Sequence, residues 1–263
     1  MRETIPITDP HDPRIGDYRA IREKDLVGRA GKFVIEGEVA LRLAARRGRF
    51  PLASVLLSEK RAALAAAIPE NVPVHVAPQP VLEAIAGFPI HRGVLAIGLR
   101  GAEPDPATLL AGLPPRALVV ALIGLTNHDN VGGIFRNAAA FGADAVILDA
   151  ETCDPLYRKA IRVSAGGALL VPFARAGGPL ETVSTLEEAG FTPLALSPRG
   201  EETFATLARP RRAALVLGAE GPGLPDAVLS RARTLRIPMA GDFDSLNVAV
   251  TSGIALHALA GGG

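Results

Sequence analysis

Side chains able to bind or activate a reacting group collect in three short segments. In 116–142, RALVVALIGLTNHDNVGGIFRNAAAFG, Asn130 and Arg136 follow a continuous apolar run from Ala117 to Leu125. A side-chain amide both donates and accepts, and a guanidinium offers a planar fork of donors suited to phosphate or carboxylate. In 218–224, GAEGPGL, Glu220 stands among glycines at 218, 221 and 223. Those glycines let backbone approach a ligand closely, and the carboxylate would repel a pyrophosphate but suit a cation. In 238–259, PMAGDFDSLNVAVTSGIALHAL, Ser245 and Asn247 enter an apolar helix. Each also has a bland explanation. Asn130 could cap a helix, Arg136 could be a solvated face residue, and Ser245 is a good N-cap. Asn247 within a first turn is a poor helix former, which gives its amide a specific task.

The elements that must position these groups follow from periodicity. Ala117–Leu125 reads as a strand buried on both faces, as in parallel sheets. A polar loop, 126–133, carries Asn130, and a helix then carries Arg136 and closes at Gly142. A strand follows over 145–148. The polar groups thus sit at the carboxyl end of a strand, where open α/β sheets bind ligands. Downstream, 155–164 reads as a helix with Arg158, Lys159 and Arg162 on it, then a Gly-Gly break and a short strand. Helices are expected at 180–189, 203–208 and 226–233, and strands at 191–196, 213–217 and 235–237.

The first 28 residues read as a polar arm, with helical spacing over 17–27. Residues 30–100 read as a small α/β domain. Strands are expected at 33–35, 52–57, 72–76 and 94–99, and helices at 37–47, 62–68 and 80–86. On the first helix, Val39, Leu41, Leu43 and Ala44 form the apolar side. Arg42, Arg46, Arg47 and Arg49 cluster at its end. Cations there complement the helix dipole, but four exceed that need and suggest an RNA-phosphate patch. Residues 101–115, rich in Pro and Gly, read as a linker.

Composition narrows the class. A chain of 263 residues holds one large or two small domains. No apolar run is long enough to span a bilayer. The first residues, MRETIPITDPHDPR, lack the apolar stretch of a secretory signal. Cys153 is the single cysteine, which excludes an internal disulfide or a multi-cysteine metal site and fits a reducing cytoplasm. It could serve as a nucleophile, but a lone cysteine beside Asp154 reads as incidental. The five histidines are scattered, so no metal is expected. His91 and His128 are single loop histidines and carry little weight. Net charge is +1, which neither announces nor excludes a nucleic-acid partner. Scarce aromatics argue against a stacking platform.

Taken together and in order, NVGGIFRNAAAFG, LGAEGPGL and IPMAGDFDSLNVAVTSGIAL resemble the SpoU (TrmH-like) family of RNA ribose 2′-O-methyltransferases, in the SPOUT superfamily. DPLYRKAIRVSAGG is also similar to that family. FVIEGEVALRLA and HRGVLAI, within 30–100, are similar to the L30e-like substrate-binding domain that often precedes it. The resemblance implies an α/β parallel sheet with a C-terminal trefoil knot, over 116–263, and a homodimer with its active site near the interface. It implies S-adenosylmethionine as cofactor and RNA, ribosomal or transfer, as substrate. Carried over by motif, Asn130, Arg136, Glu220, Ser245 and Asn247 are the catalytic set. Gly218, Ile237 and Leu246 match cofactor-contacting positions, with Leu196, Leu217, Gly221 and Met239 expected beside them. Arg42, Arg46, Arg47 and Arg162 are the RNA-binding candidates. The DFD before Ser245 is more acidic than that motif usually is. Two other readings compete with this one. A nicotinamide-dependent dehydrogenase would use the 218–223 glycines, but these come late and Pro222 and Pro225 interrupt the turn-to-helix geometry. A non-catalytic RNA-binding or ribosome-assembly protein would keep the fold without the cofactor.

Overall fold

The computed structural model describes residues 2–19, 31–47, 49–87, 90, 92–241 and 245–261. The chain divides into two units, Met1–Ala102 with Leu156–Leu170, and Glu103–Pro155 with Val171–Gly263.

The first unit is built on strands Ile5–Pro6 (β1), Lys32–Glu36 (β2), Leu52–Ser58 (β3), Val74–Ala77 (β4) and Val94–Leu99 (β5), in the sheet order β1-β4-β3-β5-β2. β5 runs antiparallel to both neighbours and the other pairs are parallel. The N-terminal segment, expected as an arm, supplies edge strand β1. It also buries Ile7, Ile15 and Tyr18 in this unit's core. Tyr18 Oη lies 2.8 Å from Ser54 Oγ, so the one polar atom of that ring is satisfied. A strand of two residues carries too little periodicity to be read from sequence. The expected helix over 17–27 falls largely outside the described residues, as do His91 and the DFD at 242–244.

The helix Glu38–Arg47 forms as expected and buries Ala40, Leu41 and Ala44. Val39 does not join them and is 57% exposed. The segment expected as a helix at 62–68 is a 3-10 helix, Glu59–Ala67. Arg158–Val163 is a helix of this unit, and Arg158 Nη1 donates to Glu36 Oε2 at 2.8 Å. The Gly-Gly break at 166 has φ +87°, and a Cβ there would stand 2.8 Å from Leu43 Cδ1. The positive φ favours glycine here, and the Ala40 Cα, 3.3 Å from that Cβ, leaves little room for a side chain against the Glu38–Arg47 helix. A helix, Gly167–Leu170, intervenes between the break and the short strand expected after it, which begins at Phe173.

The second unit holds a seven-stranded, wholly parallel sheet. Its strands are Ala117–Ile123 (β6), Ala145–Leu148 (β7), Phe173–Arg175 (β8), Thr192–Leu196 (β9), Glu202–Thr203 (β10), Arg212–Gly218 (β11) and Arg233–Arg236 (β12). Their order is β10-β12-β9-β11-β6-β7-β8. β6 lies between β11 and β7, and all its residues are buried, as its unbroken apolar run requires. The register pairs Ile123 with Gly218 and Ala195 with Val216. The carboxyl ends of β6, β9 and β11 therefore come level, and the loops that leave them share one edge of the sheet.

Three further expectations change here. Residues 101–115 are not a bare linker. Pro106–Ala111 is a helix capped by Asp105, whose carboxylate accepts from Thr108 N at 2.8 Å, and Leu110 is fully buried in the unit's core. Residues 203–208 hold the end of a strand and turns, not a helix. The expected helix at 226–233 is the single turn Asp226–Leu229, with β12 starting at Arg233.

At Gly218 an added Cβ would lie 2.6 Å from the Gly223 carbonyl carbon and 2.7 Å from Leu224 N. Both obstacles are backbone, so they cannot swing aside. Gly218→Ala should lower the urea midpoint of unfolding by the equivalent of ~1–3 kcal/mol. An unchanged midpoint would show that the 218–224 loop relaxes freely.

Candidate active site

The helix His128–Ala140 starts earlier than the sequence suggests. Asn127 caps it, its Oδ1 accepting from Asp129 N at 2.8 Å. Asn130 is therefore in the first helical turn, not in a loop, and is 94% buried, with 6% exposure remaining. At the other end Ala143 N donates to Ala138 O and Gly142 takes φ +71°, the Schellman ending expected of a glycine there. The lead-in from β6 is braced by Asp149, a fully buried carboxylate. It accepts from Gly124 N at 3.0 Å, Thr152 N at 2.8 Å and Thr152 Oγ1 at 2.6 Å. Arg175 donates to the Asp149 and Thr152 carbonyls.

The C-terminal helix, Val248–Ala260, lies against His128–Ala140 at short range. A Cβ on Gly133 would come 2.7 Å from Ala249 Cβ. Asn137 Nδ2 donates to Ala249 O at 2.7 Å and Ser252 Oγ at 2.9 Å. The N-cap of Val248–Ala260 is Asn247, not Ser245, which stands exposed beside it.

Asn247 uses every polar atom of its side chain. Oδ1 accepts from Ala249 N at 2.9 Å and Val250 N at 3.3 Å. Nδ2 donates to Asn130 Oδ1 and to Glu220 Oε1, each at 2.9 Å. The glycine loop after β11 presents Glu220 for this. Gly223 N closes on Ala219 O at 3.1 Å, with Gly221 and Gly223 at φ +89° and +72°. So three segments far apart in sequence meet on one amide.

Beside this cluster opens a cleft of about 770 Å³, within the ~300–1,000 Å³ typical of small-molecule sites. Its lining includes the apolar Leu196, Leu217, Ile237, Met239 and Leu246 together with Gly218, Gly221, Glu220, Ser245 and Asn247. All seven residues expected at the cofactor thus border one cavity. Arg136 is not in this lining. It is exposed, six residues beyond Asn130, ~9 Å along the axis at ~1.5 Å per residue, and forms no side-chain hydrogen bond or ion pair with the described residues. Arg199, Asn137 and Asn127 were missed by the sequence reading. Arg199 was findable, since it follows Leu196 at the carboxyl end of a strand.

The remaining candidates fall as follows. Arg42 Nε is paired with Glu38 at 2.9 Å, and Glu38 also takes Arg61. Arg46, Arg47 and Arg162 are exposed. Burial, and then Asp154, push the Cys153 thiol up to about 11, so at neutral pH it is protonated and a poor nucleophile. The 218–223 glycines close on themselves before a helix of one turn, which offers no dinucleotide-binding helix N-terminus.

The amide at 247 can be dissected. Asn247→Ala should cost ~1 kcal/mol through the lost cap and also lose activity. Asn247→Asp keeps the capping oxygen but has no donor for Asn130 and sets a carboxylate against Glu220. It should therefore lose ~1–3 kcal/mol in urea although the cap is kept, because the buried Asn130 oxygen is left unpaired, and lose activity as fully as the alanine variant. Full activity in Asn247→Asp would show that the cap alone matters.

The family model described as SpoU rRNA Methylase matches residues 117–257. A tRNA/rRNA methyltransferase of Mycobacterium tuberculosis, itself uncharacterized, is 38% identical over 95% of this chain and 90% of its own. The 23S rRNA (guanosine-2′-O-)-methyltransferase RlmB of Salmonella typhimurium is 32% identical over 71% of this chain and 78% of its own. The crystal structure of an AdoMet-bound rRNA methyltransferase from Sinorhizobium meliloti superposes with a TM-score of 0.81 at 25% identity, covering 97% of both chains. With a buried parallel strand, a closed glycine loop and a capped terminal helix joined at Asn247, and with these matches across its length, the chain belongs to the SpoU rRNA methylase family.

Proposed function

We propose that the chain is an S-adenosylmethionine-dependent RNA methyltransferase that modifies a ribose 2′-hydroxyl, of ribosomal in preference to transfer RNA. The observation that carries this is the convergence of Asn130, Glu220 and Asn247 beside a cleft lined by both apolar and polar residues. The similarity to the 23S rRNA (guanosine-2′-O-)-methyltransferase supports the ribose and the ribosomal substrate. The cleft's chemistry suits the cofactor. Apolar walls fit a purine, and carboxylates at Glu220 and Asp226 suit a ligand with cationic groups.

S-adenosylmethionine supplies a methyl group already activated on a sulfonium. The protein's task is then to align the attacking oxygen, an effect worth up to ~7–11 kcal/mol in favourable cases, and to stabilise the charge it develops. Arg136 does the second. A guanidinium stays protonated in proteins and so acts as a donor, not a base. It grips the phosphate next to the target ribose and stabilises the alkoxide as it forms. Asn130 and Ser245 orient the ribose. Asn247 holds Asn130, and Glu220 holds Asn247.

The same reading includes a homodimer. On the C-terminal helix Val250 and Ile254, one turn apart, are 53% and 41% exposed. Arg136 lies roughly a third of a turn round its helix from buried Asn130 at ~100° per residue and is exposed, and in the proposed dimer it meets the second copy's substrate. Arg42, Arg46, Arg47 and Arg162 hold RNA phosphate, and residues 30–100 act as an L30e-like substrate domain. A trefoil knot at the C-terminal end of the sheet and a cytoplasmic location accompany family membership and the RNA substrate.

Transfer of labelled methyl to separated cellular RNAs tests the activity. Label should enter ribosomal RNA, and Arg136→Ala should reduce it ~10²–10³-fold with cofactor affinity within twofold of wild type. Arg136→Lys should stay poor at every pH. Recovered activity with a shifted pH optimum would instead make the residue a proton acceptor. Ile254→Glu should convert the dimer to monomer in light scattering and abolish transfer. A variant still dimeric would place the interface elsewhere.

A further inference from the structure

The turn between β9 and β10 holds a cation that neither the motifs nor the cluster at Asn247 account for. Ser197 N donates to Leu235 O at 2.9 Å, Gly200 N to Ser197 O at 3.0 Å, and Arg199 N to Ser197 Oγ at 3.3 Å. Gly200 is pressed against β12 so closely that a Cβ would stand 2.3 Å from the Leu235 carbonyl carbon. Arg236 clamps the far side, donating to Gly200 O at 2.5 Å and Glu201 O at 3.1 Å. The backbone of this turn is thus fixed from both sides, and Arg199 projects from it into the lining of the cleft.

Its neighbours show what is unusual about it. Arg233 is spent on Glu202 in a two-point pair, Arg212 on the carbonyls of Leu110 and Pro114, and Arg231 on Ser184 and Glu187. The Arg199 guanidinium has no hydrogen-bond or ion-pair partner among the described residues. An exposed fork of donors on a rigid turn, facing a cavity, is prepared for a planar anion.

We infer that Arg199 anchors the α-carboxylate of the cofactor's amino-acid arm. The inference rests on the S-adenosylmethionine reading above. Among the described lining residues the charged side chains are Arg199, Glu220 and Asp226. The ligand carries a sulfonium, an ammonium and a carboxylate, so two cationic groups and one anionic group meet two carboxylates and one guanidinium. An RNA phosphate is the poorer partner for Arg199, because a polyanion entering this cleft would face Glu220 and Asp226. Arg136, which lies outside this lining, suits that role better.

Titration calorimetry on the full chain separates the possibilities. S-adenosylmethionine, S-adenosylhomocysteine and 5′-methylthioadenosine would be titrated into wild type, Arg199→Ala and Arg199→Gln. The first two ligands carry the carboxylate, and the third is the nucleoside thioether without the amino-acid arm. Both variants should bind the first two roughly ten- to thirtyfold more weakly, the range of a lost hydrogen-bonded charge partner, and bind 5′-methylthioadenosine within twofold of wild type. Equal weakening of all three would make Arg199 a support of the cleft and overturn the inference. So would unchanged affinity for all three, with or without a raised KM for RNA, which would mark a phosphate contact. Failure of wild type to bind any of the three would remove the cofactor reading itself.

Discussion

The site depends on the side-chain amide of Asn247 and on the fact that its two ends do different work. The oxygen accepts from the first free amides of the Val248–Ala260 helix, and the nitrogen donates to Asn130 and Glu220. The capping bonds decide which way the amide faces, because an amide turned over would set its NH2 against two backbone donors. Serine or aspartate would cap equally well but would have no pair of donors left. Asparagine is the side chain of this length that supplies both. The partners lie 117 and 27 residues away in sequence, so the amide also records that three loops have reached their places.

That meeting relies on register and on close helix contact. β6 and β11 pair from Arg212↔Ala117 to Gly218↔Ile123, and so deliver Asn130's helix and Glu220's loop at the same height. A slip of one residue would turn alternate side chains to the other face. Gly133 removes the side chain that would hold the two helices apart, and Asn137 then ties them with two hydrogen bonds. Asp149 secures the approach from β6 at Gly124, where φ is +68°. Its carboxylate is buried at no lasting cost because it accepts three hydrogen bonds.

The same contacts explain which parts of the fold could be read from sequence. β6 and β7 were legible because a strand buried on both faces must be apolar throughout. Glu220 and the glycines around it were legible because positive φ favours glycine. The start of the Asn130 helix was hidden by Gly132–Gly133, which looks like a loop since glycine costs a helix interior about 1 kcal/mol per residue. Here Gly133 is needed for the contact with Ala249, a reason that exists only in three dimensions. Pro106 hid a helix in the supposed linker, although a proline in the first turn is compatible with one. Ser245 and Asn247 are both good caps two residues apart, and the choice between them was made by Asn130 and Glu220. The N-terminal segment joined a sheet through two residues, a pairing with β4 that no local pattern encodes.

The arginines divide by whether their charge is already used. Arg158, Arg175, Arg212, Arg233 and Arg236 hold the fold together through carboxylates and carbonyls. Arg136 and Arg199 are held at defined places by backbone alone, one by a helix capped at both ends and the other by a turn clamped to β12. An exposed guanidinium loses little solvation in the free protein, so leaving it unpaired costs the fold almost nothing. When an anion arrives, the fork is already placed and little ordering remains to be done. Rigid backbone and an unspent charge together are therefore a better sign of a ligand contact than charge alone. By that measure Arg136 and Arg199 are both placed for an incoming anion, the first for the RNA phosphate and the second for the cofactor carboxylate in the roles proposed above.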